Sequence, residues 1–137
     1  MSSTAFAVTS HEPPPDRWTW RHPEGRLLSA AVGVGALTAA TVLAGPLTWT
    51  FWAGLLGPDL AFAKGWGRPT PGPGYVPKET VGLYNELHHP IAPAAAIALG
   101  IVTLSQPLVV GGLGWLAHIA IDRATGIGLR HPDGHIH

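Results

Sequence analysis

Every lysine and arginine of this chain sits in one of three places: Arg17, Arg21 and Arg26 near the start, Lys64, Arg68 and Lys78 in the middle, Arg123 and Arg130 near the end. Between them lie apolar runs at about 27–44, 47–63, 80–104 and 107–123. With four helical runs, those three charged regions share one side, and the two turns opposite, Gly45-Pro46 and Ser105-Gln106-Pro107, carry no charge. A soluble bundle has no reason to sort charge in this way, whereas a polytopic membrane protein does. Composition agrees: 46% of the 137 residues are hydrophobic and 12% are charged, about half the usual charged share of a soluble domain. The expected fold is therefore all-α, an integral membrane four-helix bundle with short outer turns and one Gly/Pro-rich cytoplasmic loop at 64–78. The positive-inside rule puts both termini in the cytoplasm.

The division expected along the chain is a disordered tail at 1–25, a four-helix domain at 26–124 and a His-containing tail at 125–137. Residues 1–25 hold three consecutive prolines and mixed charge, with Trp18 and Trp20 expected at the membrane interface. Run 27–44 has Ser29, Gly33, Ala36 and Ala40 at close-packing intervals, and its 18 residues span roughly 27 Å. In the third run, Pro90 and Pro93 remove amide donors, so a kink or a break is expected there. A net charge of zero gives no reason to expect nucleic acid as a partner; membrane lipid, a second copy or a partner membrane protein fit better. The chain has no cysteine, which excludes disulfides and thiolate ligands.

The last run, Gly111 to Arg123, contains the polar groups that most need explaining. Gly111, Gly114, His118 and Asp122 fall on one helical stripe, so the His and Asp point where the glycines let a neighbour come close. Counting from the uncharged turns at 1.5 Å per residue puts His118 about 17 Å in, Asp59 about 18 Å, Asp122 and His89 about 22 Å, and His88 about 24 Å. Polar groups from three runs thus share a layer about 7 Å thick near the cytoplasmic end. Two or three imidazoles with one or two carboxylates make an ordinary donor set for zinc or another divalent metal. His118, Asp122, His88 (or His89 in its place) and Asp59 are the candidate ligands, and His118, Asp122 and Asp59 the candidate catalytic groups. Asn85, His89, Arg123 and His135 are candidates for holding substrate or the ligands. The leading expectation is a metal-dependent hydrolase acting on a membrane-associated substrate; the competing one is a non-enzymatic accessory or transport protein, in which the same layer pins helices or passes protons. A haem held between His88 or His89 and His118 is a weaker alternative, since the carboxylates argue against it.

Three strings carry a resemblance: Pro58-Asp59-Leu60; Tyr84-Asn85-x-x-His88 followed by Pro93; and Trp115-Leu116-Ala117-His118-Ile119-x-x-Asp122-Arg123-x-x-Gly126-x-Gly128-Leu129. Together they resemble the small bacterial membrane proteins of domain-of-unknown-function family 4260, over roughly residues 27–137. The resemblance implies a compact polytopic membrane protein and no particular activity. The family pattern usually closes on Phe and then Thr-His-Leu-Gly, where this chain ends Gly134-His135-Ile136-His137, with one His in register and no Thr.

The topology is testable directly. Single cysteines introduced as Gly45→Cys or Ser105→Cys are expected to react with a membrane-impermeant maleimide added outside intact cells. Labelling only after the cells are opened would reverse the assignment.

Overall fold

The computed structural model describes residues 19–136. What was expected of residues 1–18, including Trp18, and of His137 lies outside that range. Within it the chain is helical: α1 (Pro23–Ala44), α2 (Trp49–Leu56), a 3-10 segment (Gly57–Gly65), α3 (Lys78–Leu87), α4 (Ile91–Val102) and α5 (Gln106–Thr125). Among the described residues there is no strand of more than an isolated bridge; Tyr75 pairs with His135 and Arg130 with Ile136.

Local chemistry accounts for most boundaries. α1 begins at Pro23, four residues before the expected start at 27, because a proline in the first turn loses no bond and Glu24 suits the positive helix end. It ends where Gly45 turns to φ 78° and bonds Thr41 O. The second run is not one helix. Pro58 lacks the N–H an α-helix would need, and the chain continues as a 3-10 segment through Gly65. The third run is also divided. α3 stops at Leu87, His88 to Pro90 form a junction, and α4 starts at Ile91. α4 is thus only 12 residues, about 18 Å long. α5 runs uninterrupted to a left-handed Gly126 (φ 87°) that stops the helix. α1 is the helix long and apolar enough to cross a membrane.

α5 is the hub. It packs on α1, α2 and α4, while α3 packs on the 3-10 segment. α1 runs antiparallel to α5: Gly33 lies beside Ala120 and Ile121, and Gln106 Nε2 donates to Leu43 O at 2.6 Å. That last bond ties the two uncharged turns together. At the other end, the Arg26 guanidinium lies against Gly126 and Trp20 lies against Gly128 and Arg123. The segment after α5 is held there too, with Arg130 Nη1 donating to Gly74 O and Val76 N–H to Gly134 O.

Contact between α2 and α5 is backbone on backbone. A Cβ on Gly54 would collide with the carbonyl of Gly111, and one on Gly114 with the carbonyl of Phe51. This closeness multiplies the van der Waals contacts between the two helices. Gly35 on the outer face of α1 has nothing within 4 Å. Gly54→Ala is therefore expected to lower stability by about 1–3 kcal/mol and Gly35→Ala to raise it by about 0.5–1 kcal/mol, read from thermal unfolding of the purified protein.

Candidate functional site

Where α2 ends, its last carbonyls have no intrahelical partner. One of them, Leu55 O, accepts a hydrogen bond from His118 Nδ1 at 2.8 Å. The glycine contact just described brings α5 close enough for this. His88 caps α3 and is 1% exposed. Its Nδ1 donates to Tyr84 O at 2.8 Å, and its ring stacks on Tyr84 with centroids 3.7 Å apart and planes at 14°. A carbonyl oxygen can only accept. Each Nδ1 therefore carries the proton, and each Nε2 is left with a bare lone pair.

Those two Nε2 atoms face each other at 3.1 Å. Asp59 Oδ1 lies 3.5 Å from His118 Nε2 and 4.0 Å from His88 Nε2. Asp122 Oδ2 lies 3.5 Å from His88 Nε2 and 3.7 Å from His118 Nε2. Four acceptors thus converge with no donor among them in this tautomer. Such a group repels itself unless a cation or shared protons sit in the middle. Metal bonds of about 2.0–2.1 Å in a tetrahedron separate neighbouring ligand atoms by roughly 3.4 Å, close to the spacings found. Asp59, His88 and His118 each offer an atom within 4.8 Å of the others. Donating the far ring nitrogen to a backbone carbonyl is also what orients metal-binding histidines. One side is open, since the side chain of Asp59 is 53% exposed on the 3-10 segment.

Other expected residues do different work. Arg123 is buried; it donates Nη2 to His88 O at 3.1 Å and Nη1 to Ile127 O at 3.2 Å, with Trp20 stacked 4.2 Å from its guanidinium. It holds the backbone of His88. Asn85 pairs with the backbone of Arg130 in both directions, Nδ2 to O at 2.9 Å and Oδ1 from N at 2.8 Å. It fastens the C-terminal segment and does not face the cluster. His89 is exposed, and its Nδ1 accepts from Ile91 N–H at 3.3 Å at the start of α4, on the far side of the junction from His88. His135 is exposed beside Tyr75, with ring centroids 5.1 Å apart, and its N–H bonds Asp133. Neither histidine joins the group. The haem alternative fails on geometry, because nitrogens 3.1 Å apart leave no room for a macrocycle between them.

Two contributors escaped the sequence reading. Trp115 Nε1 donates to Leu87 O at 2.6 Å, so α5 grips the α3–α4 junction on both sides of His88. Tyr84 supplies both the carbonyl and the ring that set His88. Each had a signal: Trp115 lies three residues before His118, and Tyr84 four before His88, spacings that put each pair on one helical face.

Neither a curated protein nor a solved structure matches the chain. One family does, described as Domain of unknown function (DUF4260), over residues 26–137. That span includes all four residues of the cluster and each element that positions them. The chain belongs to the DUF4260 family.

Proposed function

We propose that this is a four-span membrane protein whose Asp59, His88, His118 and Asp122 hold one divalent, zinc-like metal, and that the centre hydrolyses a membrane-associated substrate. The observation that carries the metal is the meeting of four acceptors whose imidazole protons are already spent on backbone carbonyls. Bound there, a metal would supply a water of lowered pKa. Asp59, on the open side, is the group placed to accept a proton from such a water. His88, gripped through its neighbours by Trp115 and Arg123, keeps the buried side rigid.

What supports membrane embedding is where the apolar side chains lie. Only 17% of the apolar window of α1 is buried, whereas the core helix of a soluble protein is mostly covered. Leu47, Trp49, Val102 and Leu104 crowd the uncharged end and are all exposed. In this reading the spans are α1, α2 with its 3-10 continuation, α4 and α5, and α3 lies at the cytoplasmic face. The Gln106–Leu43 bond keeps both uncharged turns on one side, in accord with both termini facing the cytoplasm.

Metal analysis of the purified protein decides the centre. The expected result is about one metal per chain in the wild type and less than a tenth of that in His118→Ala and His88→Ala, with the folded yield retained. A wild type without stoichiometric metal overturns it. A second reading has its own support, because the cluster joins three separate elements: an accessory or proton-passing membrane protein in which these groups share protons and pin the helices. Loss of folded protein in Asp59→Ala and Asp122→Ala, together with a metal-free wild type, would favour that reading.

A further inference from the structure

An apolar groove of about 320 Å³ lies between α2 and α4, lined by Thr50, Ala53, Gly54, Ala96, Gly111 and Trp115 among others. Three elements make it, and the same three regions lead to the His/Asp cluster. Its α2 wall, Thr50 to Gly54, continues through Leu55, which orients His118, to Asp59. Its floor on α5 steps from Gly111 to Trp115, then His118 and Asp122, one face at intervals of four, three and four residues. Its α4 wall leads back to the junction that holds His88. From Gly111 to His118 the rise is about 10 Å. Groove and cluster thus form one line along α5, apolar toward the uncharged turns and polar toward the charged end.

Gly111 helps explain why the space exists: it leaves bare backbone at the cleft floor, where a Cβ would meet only Thr50 O, at 3.4 Å.

We propose that this groove is the tail-binding part of the same site, and that it takes one acyl chain of a lipid whose anionic head, a carboxylate or a phosphate, reaches the His/Asp cluster. This rests on the metal reading for the head and on the groove itself for the tail. An amphiphile matches the line's order of apolar and polar sections, and the volume suits a single chain. Buried methylenes supply the affinity and the metal-facing end supplies the orientation. The head approaches from the charged end, on the side where Asp59 is open to solvent.

Photolabelling tests this on the full-length protein in detergent. The probes are a long-chain fatty acid and a lysophosphatidic acid of the same chain length, each with a diazirine at the chain end. Either head is expected to direct label to the peptides holding residues 49–54 and 107–115, and the stronger of the two identifies the head chemistry. Ala96→Phe and Ala53→Phe fill the groove from opposite walls, and each is expected to cut that labelling by about tenfold, the effect of excluding roughly two methylenes. Metal content in both variants is expected to stay at the wild-type level. Labelling that is unchanged in both variants, or spread evenly over α1, overturns the proposal in favour of ordinary lipid contact. Cross-links between two protein copies through the groove overturn it in favour of a docked helix. Groove labelling of a preparation without metal upholds the tail site and removes the metal reading alone.

Discussion

The closeness of α2 to α5 is the constraint on which the rest of the molecule depends. Gly54, Gly111 and Gly114 bring two backbones into contact, and any side chain at Gly54 or Gly114 would separate them. Only at that separation can His118 reach the carbonyl of Leu55, and only because it does is its Nε2 a lone pair aimed at His88. A packing fact about small residues thus fixes a tautomer, and a tautomer fixes what the site can bind. The break before α4 does the same for the other histidine. It ends α3 at Leu87, leaves His88 as a cap and presents Leu87 O and His88 O to Trp115 and Arg123 of α5.

Both histidines are oriented by main-chain carbonyls and the carboxylates are not. Asp122 shares α5 with His118, four residues on, so its position follows from the helix. Asp59 stands on a 3-10 segment nine residues long, well beyond the usual length of such helices. The cluster accordingly has a rigid half, buried around His88, and a solvent-facing half at Asp59. In the proposed metal reading, a rigid pair of imidazoles beside an open carboxylate is what a metal with a free position for water requires.

Much of this was legible before any coordinates. The sorting of Lys and Arg put the two uncharged turns on one side, and in the folded chain Gln106 bonds Leu43 across them. Counting residues from the turns brought Asp59, His88, His118 and Asp122 to one level, and they lie within contact of one another. The same count also admitted His89, because depth along a helix says nothing about which way a residue faces after a break. Asn85 looked like a site residue for its spacing from His88, yet its amide is used by the backbone of Arg130, 45 residues away. Such a long-range pairing leaves no periodic trace.

By itself, the amino-acid sequence determined the helical runs, the segregation of charge, the break at Pro90, and the level at which the polar groups occur, because these follow from local propensities and a fixed rise per residue. The tertiary structure alone decided which nitrogen of His118 carries its proton, which of His88 and His89 turns inward, that α5 is the central helix, and that an apolar groove lies along it between α2 and α4. Each of those depends on which backbone carbonyl or which helix face lies opposite. For His118 only the packed chain sets that, since Leu55 O lies 63 residues away in sequence, whereas His88 bonds Tyr84 O four residues back on its own helix.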